Sequence, residues 1–378
     1  MAQVQHEDGD DAGRRVTAAP AQARQISAWQ WLVRGVAVTA IVLGTVGTSS
    51  AAANGGEDVC PEPNDRLQAA CNIGIDSDAL GFISSPGDRD AYRLVTHDFG
   101  ARVHLALPDR PHPYRIALVG YDGTVLHSSE AGNIDTVLDQ PGTYYAIVES
   151  ATGESDSTAP YRIRLGIRHP MGMEPTVLYS EEYGLGDPRT FTLDDGTVHE
   201  GQVQDPDGTY GEGDGHFFAN IAVEGTPDDP TAMTFTIKPT NGGPPNTVDD
   251  FTLTIDSEMV EPANAGYTVT FRVIDESNFL RLTVDLKNKV AKLSKVVKGE
   301  LTALADWTPV QGLRETGINR TVIRCVGTEI RASINGKLVA RVHDDTFSEG
   351  LFGFGATTWG GPATIYFDNI LVTTPTLE

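Results

Sequence analysis

The sequence predicts an all-β protein, two jelly-roll-like β-sandwich domains behind an N-terminal signal segment, and three observations carry that reading. Apolar and polar residues alternate in short runs, the pattern of strands with one buried face. Turn residues punctuate these runs: 40 glycines and 22 prolines stand among 378 residues, with only 39% hydrophobic and 7% aromatic content. No long segment keeps the spacing of an amphipathic helix. At ~150 residues per domain, the length suits two cores. The 28 Lys and Arg face 52 Asp and Glu, a formal net charge of −24. A chain this acidic has no positive field to attract nucleic acid or anionic lipid, and neither is expected as a partner.

Residues 1–53 read as a signal peptide or N-terminal anchor. An uncharged stretch runs from Gly35 to Ala53, most apolar from Gly35 to Val46, with Arg34 before it and Ser50-Ala51-Ala52-Ala53 at its end. The apolar part is shorter than the ~20 residues that span a bilayer, and its small-residue end suits a cleavage site. Glu7, Asp8, Asp10 and Asp11 make the lead-in acidic, so an uncleaved anchor is the alternative. The expected location is extracellular, or the cell surface if the segment is retained. Export permits a disulfide. Of three cysteines, Cys60 and Cys71 are close enough in sequence to staple the start of the mature chain. Cys325 lies in the alternating run Thr321 to Val326 and reads as a buried, inert thiol.

The first domain is expected over 54–168. Its apolar runs include Arg102 to Leu107, Tyr114 to Val119, Tyr144 to Val148 and Tyr161 to Ile167, with turns at Pro86-Gly87-Asp88, Asp122-Gly123 and Pro141-Gly142. Asp122-Gly123 predicts a two-residue hairpin between Ile116-to-Tyr121 and Thr124-to-His127. Residues 169–175, with two prolines and a glycine, form the expected linker. Four segments, Glu62-Pro63-Asn64-Asp65, Gly87-Asp88-Arg89-Asp90-Ala91-Tyr92, Tyr121 to Leu126 and Pro141-Gly142-Thr143-Tyr144-Tyr145, give this domain its likeness. It resembles the bacterial pre-peptidase C-terminal domain, a small sandwich appended to secreted enzymes and surface proteins. The resemblance implies calcium. In the related collagen-binding domains of bacterial collagenases, acids and an asparagine at the amino-terminal edge meet acids of an early strand around the ion. The matching positions here are Glu62, Asn64, Asp65, Asp88 and Asp90. Clustered carboxylates repel one another unless a cation sits among them, and Ca²⁺ takes hard oxygens of this kind.

The second domain is expected over 176–378. Phe251 to Asp256, Tyr267 to Ile274, Phe279 to Leu286, Thr321 to Val326 and Glu329 to Ile334 alternate as half-buried strands do, and Asn335-Gly336 marks a tight hairpin. Lys287 to Lys298 reads as a strand within a hairpin. Gly266 to Val273, Asp275 to Phe279, Leu304-Ala305-Asp306-Trp307, Ile334-Asn335-Gly336, Asp345-Thr346-Phe347 and Phe367-Asp368-Asn369-Ile370 are similar to segments of the concanavalin A-like lectin/glucanase sandwiches, near their laminin-G-like and 3-keto-disaccharide hydrolase-like members. That resemblance implies a sandwich that hosts binders and hydrolases alike.

Hydrolysis of a glycosidic bond needs two carboxyl groups across one groove. Asp256 and Glu258 have the strand spacing for one face, but lack the third acid and flanking aromatics of retaining glucanases of this fold. They read as solvated acids. There is no Gly-x-Ser-x-Gly elbow or P-loop, and Val203 stands where a zinc protease beginning at His199-Glu200 would need its second histidine. Sugar recognition needs an exposed aromatic plane. Trp359, among small and turn-forming residues, is the candidate, with Trp307 expected in the core. Lys287, Lys289, Lys292, Lys295 and Lys298 form a basic cluster in a hairpin, which reads either as a surface for acidic glycans or as a solvated face that discourages edge-to-edge pairing. The expectation is a secreted, non-catalytic protein that binds a carbohydrate or a cell-surface protein, with a calcium-stabilised first module. A glycoside hydrolase on the second sandwich and a structural surface spacer are the alternatives.

Overall fold

The structure, a computed structural model, describes residues 30–32, 60, 62–170, 174–181, 190–192, 198–200, 202–205, 208–213, 216–222, 231–237, 247–261 and 263–375. The expected leader lies outside the described residues except for β1 (Gln30–Leu32). The next nine strands are β2 (Cys71–Asn72), β3 (Ser77–Ile83), β4 (Arg89–Thr96), β5 (Ala101–Asp109), β6 (Tyr114–Val119), β7 (Val125–Ser129), β8 (Asn133–Leu138), β9 (Gly142–Ser150) and β10 (Asp156–Arg168). Then come β11 (Val177–Glu181), β12 (Thr190–Thr192), β13 (Val198–Glu200), β14 (Gln202–Asp205), β15 (Gly208–Gly213), β16 (His216–Ile221), β17 (Thr231–Ile237), β18 (Phe251–Met259) and β19 (Asn264–Asp275). The last eight are β20 (Asn278–Asp285), β21 (Val290–Val297), β22 (Glu300–Pro309), β23 (Gly317–Val326), β24 (Glu329–Ile334), β25 (Lys337–His343), β26 (Leu351–Gly360) and β27 (Ala363–Thr373). Among the described residues, no helix is long and apolar enough to cross a membrane.

Apart from a separate two-stranded ribbon of β12 and β13, the strands form two β-sandwiches. In the first, the sheet β3-β10-β5-β8 packs on the sheet β2-β4-β9-β6-β7. Alternation supplies the shared core: Val103 and Leu105 from one sheet meet Ile116, Leu118, Ala146 and Val148 from the other, and every one is buried. In the second, a seven-stranded sheet, β1-β17-β26-β19-β20-β21-β22, faces a nine-stranded sheet built on β14-β15-β16-β27-β18-β23-β24-β25. Phe235, Phe354, Val269 and Leu282 of the former meet Leu253, Ile323, Phe367 and Val372 of the latter. Fully burying one such side chain contributes about 1.5–3 kcal/mol. Asn335 and Gly336 both hold positive φ, 49° and 73°, and close the β24–β25 hairpin as the two-residue turn predicted.

Asp122-Gly123 turns differently from the expectation. The β6–β7 loop is five residues long, with Gly120 N–H donating to Thr124 O at 2.8 Å and Gly123 N–H to Gly120 O at 3.0 Å. A partner on the other sandwich explains the longer loop: Arg314 Nη2 donates to Asp122 Oδ2 at 2.5 Å, and the Tyr121 hydroxyl donates to Asn335 Oδ1 at 2.9 Å.

The first sandwich therefore docks on the outer face of the nine-stranded sheet. Arg320, on β23 and 0% exposed, is the centre of the contact. Its Nε and Nη2 donate to the Asp256 carboxylate at 2.8 and 2.7 Å. Nη2 also donates to Thr143 O at 3.1 Å, and Nη1 to Pro141 O at 3.4 Å. Gly142 between them has φ 122°, and a Cβ there would lie 2.7 Å from Arg320 Cζ, so only glycine fits. On the linker side, His169 Nδ1 lies 3.1 Å from Asp98 Oδ1.

Candidate functional site

The first sandwich occupies the outer face of the nine-stranded sheet and leaves the outer face of the seven-stranded sheet uncovered by it. Its side chains follow from register. Directly opposed residues in antiparallel strands share a face, and alternate residues change face. With Phe235, Phe352, Phe354, Val269, Phe271, Leu280, Leu282 and Leu293 turned into the core, the residues between them point outward. One outward row runs across five strands as Thr236, Gly353, Thr270, Arg281 and Ser294. The next runs as Thr234, Gly355, Thr268, Thr283 and Lys292. A third contains Thr357, Gly266 and Asp285. This face is made of hydroxyls, bare glycine backbone and three charged groups. At one end, Val273, Phe279, Val296 and Leu351 form a small apolar cluster of their own.

At the other end stand two tryptophans. Trp359 is the penultimate residue of β26 and half-buried, so it belongs to a strand where a loop was expected. Trp307 was expected in the core; it lies on the edge strand β22 and is 42% exposed. The cause is local: register shifts where β21 meets β22, and Asp306 and Trp307 together stand opposite Lys292. The Lys292 ammonium lies 5.9 Å from the centre of the Trp307 ring and 3.5 Å from Asp306 Oδ1. Four strand spacings separate β26 from β22, roughly 19 Å at ~4.8 Å each. The two indole rings nevertheless meet edge to face, 6.3 Å apart. The two side chains lean toward each other over the polar floor, which they bridge as the end wall of a trough.

Asp256 and Glu258 share the outer face of β18, as their spacing predicted, but they do not form a catalytic pair. Asp256 was read as solvated; it is 3% exposed, with both oxygens on Arg320 and with Asn369 Nδ2 donating to Oδ2 at 3.1 Å. Burial raises the Glu258 carboxyl above its usual range. A water-activating or nucleophilic carboxylate needs access to substrate, and the first sandwich closes that access at Asp256.

At the amino-terminal edge of the first sandwich, the structure gathers oxygens from the residues the sequence singled out. Ligand atoms of Glu62, Asp88 and Asp90 all lie within 4.8 Å of one another. Asn64 beside them is 0% exposed, and neither its Oδ1 nor its Nδ2 has a hydrogen-bond partner. Its backbone is fixed: Asn64 N–H donates to Glu62 Oε2 at 3.2 Å, and Asn64 O accepts from Ala91 N–H at 3.2 Å. The fifth residue, Asp65, is turned to another task and accepts from Arg89 N–H at 3.3 Å. Asp90 is buried and accepts from the Tyr161 hydroxyl, which in turn lies 2.8 Å from Tyr92 Oη. Burial holds the Tyr161 phenol well above its usual range. Three carboxylates and an unsatisfied amide oxygen are a hard-oxygen donor set that fits Ca²⁺. Nearby, Cys60 and Cys71 are joined by a disulfide with Cα atoms 5.8 Å apart. Cys325 is buried, and burial pushes its thiol up to about 12.

No family model and no curated protein matches the chain. Among solved structures, it is similar to the carbohydrate-binding module CBM66 from Bacillus subtilis, at 22% identity over 46% of this chain and 91% of that one, with a TM-score of 0.30. Sheep galectin-11 matches at 9% identity over 37% of this chain and 95% of that one, with a TM-score of 0.28. A chain from work on endo-acting O-glycanases of the human gut microbiota matches at 8% identity over 53% of this chain and 100% of that one, with a TM-score of 0.37. Likenesses at this level assign no function.

Proposed function

We propose that this is a secreted, non-catalytic glycan-binding protein. The second sandwich takes a sugar ring in the trough of its seven-stranded sheet, and the first, a pre-peptidase C-terminal-like module, is stabilised by calcium held among Glu62, Asn64, Asp88 and Asp90. The observation that carries the reading is the tryptophan pair across the polar trough. A sugar offers an apolar C–H face and a rim of hydroxyls, so its site must combine an aromatic plane with hydroxyl-bonding groups. Trp359 and Trp307 supply the plane; the partly exposed Thr234, Arg281 and Lys292 of the same face supply the partners. The burial of Asp256 under Arg320 favours binding over cleavage on the opposite face.

The test is a glycan array on the full chain with calcium and with chelator, followed by titration of the best ligand. Trp359→Ala is expected to weaken that ligand by about tenfold or more, since an aromatic contact contributes ~0.5–1.5 kcal/mol beyond its area. Release of shortened products, or binding that Trp359→Ala and Trp307→Ala leave unchanged, would overturn the assignment.

A further inference from the structure

We propose that Glu258 and Tyr366, on the outer face of the nine-stranded sheet, receive an arginine side chain presented by a protein partner. The site lies on the other sheet from the trough and does not depend on the glycan reading. Strand register builds it. Phe217, Ala219, Met259, Ile365 and Phe367 turn into the core, so the residues between them face outward. Phe218 stands opposite Tyr366, Tyr366 opposite Glu258, and Glu258 opposite Ile318. All four are partly exposed. The His216 ring lies nearly flat against Tyr366, with ring centres 4.8 Å apart and planes 11° apart. Asp256, two residues along the same face, is 3% exposed beneath the first sandwich, so the covered area ends between Asp256 and Glu258.

The neighbouring acids of this face show what such a position takes. Asp256 accepts from Nε and Nη2 of Arg320, and the Tyr121 ring covers that guanidinium. Asp368 is acted on by the charge of Arg93 from the first sandwich. Glu258 repeats the pairing of a carboxyl with a tyrosine but lacks the cation. Among the described residues it has no hydrogen bond and no ion pair, and burial acts on its carboxyl with no charge opposing it. Arg314 comes within the same row, donating to Ile318 O at 2.7 Å, but its other Nη is given to Asp122.

A guanidinium fits this position better than other cations. One carboxylate offers too few oxygens for Ca²⁺. A planar guanidinium bonds a carboxylate twice and also stacks on an aromatic ring, as Arg320 does two residues away. The net charge of −24 draws a basic segment toward the molecule. The row continues to Phe218 on one side and Ile318 on the other. That apolar surface is of no use to a free guanidinium, but the residues flanking an arginine in a polypeptide would cover it. Arginine set among aromatic side chains is also what enriches the centres of protein–protein contacts.

Calorimetric titration of the full chain with the peptide acetyl-Leu-Arg-Leu-amide, and with its citrulline and lysine counterparts, tests this. Citrulline keeps the shape of arginine and removes its charge. The arginine peptide is expected to bind about tenfold or more tighter than the citrulline peptide, the scale of one hydrogen bond to a charged group, with the lysine peptide between them. Glu258→Gln should erase the preference for arginine over citrulline, and Tyr366→Leu should weaken the arginine peptide. Glu276→Gln, at an exposed acid of the β19–β20 turn, should leave it unchanged. If Glu258→Gln does not fold, the loss in Tyr366→Leu decides. Equal binding of the arginine and citrulline peptides, a preference that survives Glu258→Gln, or an equal loss in Glu276→Gln would overturn the proposal. Glu258→Gln should leave sugar binding in the trough intact, so failure here and failure of the glycan reading are told apart.

Discussion

The guanidinium carbon of Arg320 sits 3.9 Å from the centre of the Tyr121 ring, so a cation buried in the second sandwich is covered by an aromatic face from the first. Tyr144 flanks it at 5.4 Å. Enclosing a charge costs free energy unless it is paired, and here Asp256, two backbone carbonyls and two rings compensate. The docking of the two sandwiches and the burial of the Asp256–Arg320 pair are one arrangement.

Arg320→Ala leaves Asp256 enclosed without its cation. The expected loss is about 3–5 kcal/mol, the usual cost of breaking a buried pair from one side. Urea unfolding should show a lower midpoint, and the two sandwiches should unfold in separate steps. The double variant Arg320→Leu, Asp256→Leu should recover much of the loss. An unchanged midpoint for Arg320→Ala would contradict the arrangement.

Calcium should raise the stability of the first sandwich. At a free concentration one hundred times Kd, a ligand that binds only the folded state adds about 2.7 kcal/mol. Asp90→Asn should abolish the calcium-dependent rise in Tm, and Asp65→Asn, outside the cluster, should retain it. Calorimetry with calcium and with chelator measures both. Equal Tm values in the two conditions would rule the ion out.

Acid should weaken the second sandwich through Asp344. Burial alone would raise this carboxyl, but Lys295 Nζ, 2.8 Å from Oδ2, and the hydrogen bonds of Thr346 hold it below its usual range. A folded-state pKa below the unfolded value gives stability that is present above ~pH 4 and is lost as pH falls through the folded value. Asp344→Asn should lower stability at neutral pH and flatten its decline in acid. A decline as steep as in the unaltered protein would assign it to other carboxylates.

Cys325 should be inert in the native state. With its thiol pushed up to about 12, the thiolate is scarce at neutral pH, and the buried strand position excludes reagents. A thiol-specific chromogenic reagent should label it only after unfolding in denaturant. Rapid labelling of folded protein would show that the strand opens.

Strand phase was the legible part of this sequence. Leu280, Leu282 and Val284 alternate with Arg281, Thr283 and Asp285, and that pattern separates the core from the trough without reference to any partner. The polar half of the alternation also contained Arg281. Its neighbours across the sheet, Thr270 and Ser294, follow from strand register, which local pattern does not carry. Trp307 was misplaced because an irregular pairing between edge strands leaves no mark in composition. Asp256 looked solvated because its partner lies 64 positions away on another strand. Local pattern encodes which face a residue takes; what covers that face is decided by contacts far along the chain.

Gly142 extends that point to other chains. Its missing side chain makes room for a guanidinium from the neighbouring sandwich, so the two positions are coupled across evolutionary change. A homologue with alanine at this place should also have replaced the arginine, and its sandwiches should be joined at a different angle. Where the glycine, the paired tyrosines and the arginine occur together, the same stacking is to be expected, and with it a trough facing away from the contact.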